Sequence, residues 1–381
     1  MVGVCLKYMA NNYGSKLQAF ATIKALEDLG IEYEIINYRK KGLKHKLKAL
    51  PRLFNPVFID GIIVQRQLAK ARAEFPHVAD RYKKYREYDA DHFLKKTVNV
   101  DYYGQLQELA KKYQAVLTCS DQLWSPSGLG TNFYNLIFVP DDIRKISWSS
   151  SFGVSQIPWY QKKATRNYIN RIEYVSMREN SGAAIVKELT GRDVPVLMDP
   201  VFVYMKDEWA RMIPEEQVYD FPYILCYILG ENVEYRKRVE EFAKKLNIKI
   251  VALTFCNTYV EYDKHFGDIV PSGVSPDRFL NLIRGAEYVC TDSFHGAALS
   301  VIMEKRFAVF NRYSDNSLAS KNTRIDNLCE NLDLKQTRAG ADTDLSTVLL
   351  SDINYVLVKQ KLQRYIDGTK EYLRKAFKGI N

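Results

Sequence analysis

The sequence has no run near the roughly 18 consecutive apolar residues that a membrane-spanning helix needs. Its nearest candidate, residues 57–64, is interrupted by Asp60 and Gly61. It also lacks any C-x-x-C pair. The six cysteines (Cys5, Cys119, Cys226, Cys256, Cys290 and Cys329) lie 30 or more residues apart, which argues against a zinc ribbon or redox dithiol and for reduced thiols in a cytosolic protein. Only five histidines occur (His45, His77, His92, His265 and His295), without ligand spacing, so neither a metal nor another cofactor is expected. No basic stretch followed by an apolar one opens the chain, so no secretory leader is expected. No G-x-G-x-x-G fingerprint is present, which disfavours a dinucleotide site.

What is there belongs to a folded protein: 46% of the 381 residues are hydrophobic and 13% aromatic, too many for a disordered chain. The length implies two domains. The formal net charge of +10 is confined to one region, because residues 39–96 hold 16 Lys+Arg against six acids and the remainder is neutral.

Short β-branched runs alternate with helical patterns, the mark of parallel sheets joined by crossover helices. Strands are expected at 2–7, 33–37, 115–118, 145–149, 174–177 and 194–198, then at 223–229, 249–253, 269–270, 288–291 and 307–310. Ala19, Ile23 and Leu26 mark a first helix that ends at Gly30. The charged stretch 203–222, broken by Pro214 and Pro222, reads as a linker. Val358, Leu362, Ile366, Thr369, Leu373 and Phe377 recur at helical spacing, so an amphipathic helix of about seven turns should end the chain. The expected organisation is an N-terminal unit 1–205 carrying a basic helical insertion 39–96, a C-terminal unit 206–350, and a helix 351–381 packing across both.

Three strand ends carry chemistry. Thr291-Asp292-Ser293-Phe294-His295-Gly296 separates an apolar run from a helical one. Such a junction turns backbone N–H groups and a helix dipole toward the crevice where α/β proteins bind ligands, an anion site with His295 beside it for proton transfer. Asp292 and Ser293 could equally be plain helix caps. After the first strand, Ala10-Asn11-Asn12-Tyr13-Gly14-Ser15-Lys16 suits a tight turn in which Ser15 can cap, or a sugar-binding loop using Asn12 and Tyr13, with Gln18 following. Ser120-Asp121-Gln122-Leu123-Trp124 supplies an acid, an amide and an aromatic face at a third strand end, with Asp121 a candidate general base. Arg178 and Arg324 offer guanidinium forks for an anion.

In this order the segments resemble the polysaccharide pyruvyl transferase family. The elements are Ala10–Gly14 with Leu17-Gln18-Ala19, Ser120–Trp124, Ser176–Glu179, Asp199-Pro200, Thr291–Gly296 and Arg324, covering about residues 2–335. Ser15-Lys16 departs from the small and apolar pair expected there, and the basic insertion matches no motif. The resemblance implies two Rossmann-like α/β domains facing across a cleft, as in the GT-B glycosyltransferases. It also implies transfer of a pyruvyl group from phosphoenolpyruvate to two hydroxyls of a sugar, such as a lipid-linked galactose-type residue, in surface or capsule polysaccharide synthesis.

On that scheme phosphoenolpyruvate meets Arg178, Arg324, Ser293, His295 and Gly296. His295 is the general acid, Asp121 the base, and Asn12, Tyr13, Gln18, Gln122 and Trp124 hold the acceptor sugar. The expected location is cytoplasmic, at the inner face of the plasma membrane, with residues 39–96 touching anionic lipid or a lipid-linked pyrophosphate. The competing enzyme reading is a GT-B glycosyltransferase with a nucleotide-sugar donor. A nucleic-acid partner stacking on Tyr82, Tyr85 and Tyr88 is the weaker reading of the charge, since that charge lies outside every anion motif.

Overall fold

A computed structural model describes residues 1–40, 56–126, 132–313 and 322–380. Its strands form two wholly parallel sheets. In the first the order is β3-β2-β1-β4-β5-β6, with β1 Val2–Cys5, β2 Tyr33–Tyr38, β3 Thr97–Val100, β4 Ala115–Cys119, β5 Arg144–Ser150 and β6 Tyr174–Met177. In the second it is β11-β10-β9-β7-β8, with β7 Tyr223–Tyr227, β8 Lys249–Ala252, β9 Tyr288–Thr291, β10 Arg306–Phe310 and β11 Arg338–Ala339. Helices cover both faces, which is why β1, β4, β7 and β9 are buried at every residue and read as unbroken apolar runs.

Nine of the eleven expected strands form, the edge strands β6 and β8 among them, and two do not. Residues 194–198 contribute a single bridge, Val196 to Met177, because Pro195 has no N–H to continue a ladder. Residues 269–270 likewise contribute only Ile269 to Val251 before Pro271. Two edge strands were not expected: β3, only four residues long and broken by the exposed Asn99 between Val98 and Val100, and the two-residue β11.

The helix Tyr13–Asp28 follows β1 and is capped by the Asn12 side chain, which accepts from the Ser15 N–H; Ser15 is therefore inside the helix rather than its cap. It stops at Gly30, whose φ of +69° places it in the left-handed region. The expected linker 203–222 divides in two: residues 213–222 form no helix or strand and are mostly exposed, whereas the stretch before them is packed structure. Pro200–Val203 form a 3₁₀ turn, Lys206–Met212 a helix, and Trp209 is fully buried with its Nε1 donating to the Val201 carbonyl at 3.0 Å.

One hydrophobic core runs through both halves, joining Leu17 and Phe20 to Phe279 and Leu299. The final helix, Tyr355–Ala376, buries the stripe Val358, Leu362, Ile366, Thr369 and Leu373. Its Tyr372 hydroxyl donates to the carbonyl of Ser147 on β5, and its Tyr355 hydroxyl to that of Lys305 ahead of β10, so it touches both sheets. No helix among the described residues is long and apolar enough to cross a membrane.

The basic insertion supplies the helices Pro56–Glu74 and Pro76–His92; Lys41, Lys44, Lys46 and Lys48 lie outside the described residues. The second of these helices is fastened on two sides. Its buried Arg81 donates to the carbonyls of Thr254 (2.8 Å) and Phe255 (3.2 Å) beyond β8. Its Asp89 accepts from Lys16 at 2.5 Å, and the Lys16 side chain is wholly buried. That pairing gives the departure at Lys16 a structural reason. Tyr85 and Tyr88 are buried too, Tyr85 lying edge-on to Tyr13, so they form no stacking platform for nucleic acid.

Candidate functional site

Chain reversal at a switch point leaves a crevice outside the carboxyl ends of the strands. The strand orders place those points between β1 and β4 in the first sheet and between β7 and β9 in the second. A cavity of about 340 Å³ opens there. Lys7, Ala10 and Asn12 reach it from the end of β1, and Asp121 and Gln122 from β4. Ser293, Phe294 and His295 reach it from β9, Arg312 from β10, and Arg324 from the helix Thr323–Asn331.

At the β9 end, Ser293 caps the helix Phe294–Ile302 by accepting from the Gly296 N–H. Helix geometry leaves the N–H groups of Phe294, His295 and Gly296 without intrahelical carbonyls; Ser293 Oγ takes that of Gly296, so those of Phe294 and His295 stand at the positive end of the dipole. Gly296 serves packing instead: a Cβ there would sit 2.4 Å from the Thr291 hydroxyl. Asp292 ties down the neighbouring loop, accepting from the Leu229 and Gly230 N–H groups at 2.8 and 2.7 Å.

His295 is 6% exposed, and its Nε2 lies 3.5 Å from Asp199 Oδ2. Asp199 also accepts from Ser120 at 2.7 Å and from Arg178 at 2.9 Å. Burial would push the Asp199 carboxyl up, but His295 and Arg178 outweigh it and hold the group well below the usual carboxylate range. The other side of the imidazole rests on Gly14, where a Cβ would stand 2.3 Å from His295 Cβ. The start of the first helix and the start of the β9 helix therefore meet across the cleft, and Gly14 provides close approach rather than a positive-φ turn.

Asp121 sits in a strained bend, with φ of +46° at Ser120 and +52° at Asp121, uncommon values for residues with a Cβ. It pairs with Lys7 at 3.0 Å. Burial would raise its pKa, yet Lys7, Arg178, His295 and Arg324 together keep it far below the ordinary carboxylate range. Arg324 shows the converse: burial and the neighbouring Arg178 push its pKa down to about 10. An anion would relieve Arg324, and its place beside Lys7 and Arg312 on one wall of the cavity suits that wall to a polyanionic ligand.

Not every expected contact reaches this cavity. Arg178 lies behind the Phe294 ring, its guanidinium carbon 4.8 Å from the ring centre, and is neutralised by Asp199 and Glu179. It is not among the residues lining the cavity. Tyr13 is fully buried, stacked on Phe279, with its hydroxyl donating to the Val274 carbonyl. Gln18 is buried against Thr22 and Cys119. Trp124 is buried between Phe152 and Tyr168 and donates to the Tyr134 carbonyl. None of these three can offer a face to a sugar without unpacking. Asn12 and Gln122 do line the cavity, although the Asn12 amide also donates to the Tyr227 hydroxyl across the cleft.

The family model for polysaccharide pyruvyl transferase matches residues 12–314, most of the chain. The chain belongs to the polysaccharide pyruvyl transferase family. No curated protein sequence matches it. Among solved structures, this pyruvyl transferase resembles S. aureus MnaA in its co-structure with UDP (TM-score 0.51, 12% identity, 98% of this chain and 96% of that one). It also resembles a putative UDP-N-acetylglucosamine 2-epimerase from Listeria monocytogenes (TM-score 0.51, 11% identity, covering 98% and 96%). These likenesses show the fold alone: two parallel-sheet α/β domains of GT-B type.

Several lining residues of this pyruvyl transferase escape a motif reading. Lys7 and Arg312 each stand two residues beyond a strand, a position that the carboxyl-end rule singles out without any motif. Gln65, Leu68 and Tyr82 come from the basic insertion, which walls the cavity rather than standing apart from it. Asp199 belongs to a matched segment but had no assigned role.

Proposed function

We propose that this enzyme moves a pyruvyl group from phosphoenolpyruvate to two hydroxyls of one sugar, forming a cyclic ketal and releasing inorganic phosphate. The observation that carries the reading is His295, held between Asp199 and Gly14, facing a cavity whose other walls bear Lys7, Arg312 and Arg324. Phosphoenolpyruvate brings a carboxylate and a phosphate to those cations and to the N–H groups at the helix start.

His295 then gives its proton to the methylene carbon while an acceptor hydroxyl adds to the adjacent carbon. The carbon–oxygen bond to phosphate breaks next, and the second hydroxyl closes the ring at the resulting oxocarbenium centre. Of the two hydroxyl protons, one restores His295 and the other leaves with phosphate. Asp121 relays the first: alone it is a poor base, but the donor's negative charge offsets the cations that depress it. Asn12 and Gln122 orient the sugar from the side of the first sheet. Exposed Arg66, Lys70 and Arg86 on the inserted helices suit an anionic membrane surface, and with it a lipid-linked acceptor in surface-polysaccharide synthesis.

The test is phosphate release from phosphoenolpyruvate with galactose- and mannose-type acceptors. His295→Ala should lower the rate by about 10²–10⁴-fold, the usual worth of a general acid. Unchanged release would remove the acid assignment. A melting-temperature rise with UDP- or GDP-sugars but not with phosphoenolpyruvate would instead favour a nucleotide-sugar donor.

A further inference from the structure

Among the described residues the most exposed large apolar side chain is Trp159, at 84%, and its neighbour Tyr160 is 66% exposed. Together they open the helix Trp159–Asn170, their rings 5.9 Å apart and nearly perpendicular. The other three tryptophans, Trp124, Trp148 and Trp209, are wholly buried. The same helix holds three basic residues, Lys162, Lys163 and Arg166, and no acidic one. Lys162 is paired with Glu188 of the neighbouring helix, whereas Lys163 points outward. It follows the two rings by four and three residues, which puts all three on one face.

The pair stands at the lip of the cleft. Its helix follows β5, and Gln161 donates to the Pro126 carbonyl at 3.2 Å, which ties the helix start to the loop that carries Asp121 and Gln122 into the main cavity. Two more exposed apolar side chains lie just beyond strands of this sheet, Met9 after β1 (58%) and Tyr102 after β3 (54%). From β3 to β5 is four steps in the strand order, so at about 4.8 Å a step these side chains are spread over roughly 19 Å. Among the described residues, the carboxyl ends of the second sheet expose no large apolar side chain. The asymmetry belongs to the lip of the first sheet alone.

Separate rings on a convex lip offer no groove or row of pockets for a peptide. Amphipathic rings beside lysine, with no acid on their helix, match the headgroup layer of a bilayer, where Trp and Tyr settle and anionic lipid draws Lys and Arg. We infer that Trp159 and Tyr160, supported by Lys163, are a docking surface for an anionic phospholipid bilayer, with the first sheet's side of the cleft turned toward it. This is a second contact, apolar in kind, distinct from the charged face of the inserted helices. Its use in delivering an acceptor rests on the reading given above; the docking itself is measured without turnover.

The experiment uses vesicles of phosphatidylcholine with and without an equal share of phosphatidylglycerol, read by flotation and by tryptophan emission. Because Trp159 is the one exposed indole, its emission should shift to the blue on the anionic vesicles and be quenched by brominated lipid tails. The double variant Trp159→Ala, Tyr160→Ala should lower partitioning by about tenfold or more, with an unchanged thermal melt and unchanged phosphate release on a soluble acceptor. Lys163→Gln should lower it about fivefold at low salt and not at high salt. Absence of vesicle binding by the native enzyme overturns the surface. So does full binding by the double variant, which would leave the contact to the inserted helices, or a lipid-free emission shift that grows with protein concentration, which would give the face to a second copy of the chain. Vesicle binding lost in the double variant supports the surface even if no acceptor yields phosphate, an outcome that would fell the pyruvyl-transfer reading alone.

Discussion

Replacing Gly14 by alanine probes the junction on which the proposed chemistry depends. The added Cβ would lie 2.3, 2.4 and 2.5 Å from Cβ, Cγ and Nδ1 of His295, against about 3.4 Å for ordinary contact, so the two groups must part by about 1 Å. Rotating the imidazole cannot relieve this, because the nearest atom is His295 Cβ itself. The helix starts must separate, and His295 must move relative to the cavity. A misplacement of about 1 Å costs on the order of 100-fold in rate, or about 2.7 kcal/mol of transition-state stabilisation.

Stability should fall by no more than about 2.5 kcal/mol. Overpacking of about 1–3 kcal/mol is offset in part by the roughly 0.5–1 kcal/mol that alanine gains over glycine within a helix. The assay is phosphate release from phosphoenolpyruvate with acceptor, run beside a thermal melt. Gly104→Ala is the control, since nothing lies within 4 Å of its Cβ position, and it should keep full activity. If Gly14→Ala turns over within threefold of the native enzyme, or if its structure shows His295 unmoved, the reasoning is refuted.

Asp199→Asn should lower kcat by about 10–100-fold with little change in phosphoenolpyruvate affinity, because it loosens the orientation of His295 rather than a donor contact. It should also cost about 3–5 kcal/mol in urea unfolding, since buried Arg178 loses one of its two carboxylates; an unchanged midpoint would contradict the network. Burial, then the adjacent Arg81, pushes the His77 pKa down to about 4, while its Nε2 contacts the Thr254 hydroxyl at 3.1 Å. At this site the folded state therefore binds fewer protons than the unfolded one between about pH 4 and 6.5, so the stability that His77 contributes is lost on acidification through that window and is flat above it, while Asp277, whose pKa burial pushes up to about 6, works in the opposite sense. His77→Asn should flatten the slope, as measured by urea midpoints at pH 5 and pH 7.5.

The central strands and the three loops that follow them were legible because their signals are local. A strand buried on both faces is an unbroken apolar run, and a polar cluster behind it is a carboxyl end. Signals that depend on a distant partner were not. Tyr13 looks like a loop residue until Phe279 is placed against it, and Gly14 looks like a turn residue until His295 arrives from across the cleft. Charge counting likewise could not distinguish Arg81, buried on two carbonyls, from Arg86 on the surface of the same helix. Nor could it show that residues 203–222 begin as packed structure, because what decides this is the burial of Trp209 beside Val201, while the charged side chains around it stay largely exposed.

The doubly fastened insertion also governs motion. To spread the two sheets apart, the enzyme would have to draw Arg81 off two carbonyls, each hydrogen bond to such a charged group being worth about 1.5–3 kcal/mol, or break the enclosed Lys16–Asp89 pair. The resting enzyme is therefore a preset jig rather than a jaw. On the proposed reading, rate differences among acceptors should then report their fit to a fixed gap rather than their power to close it.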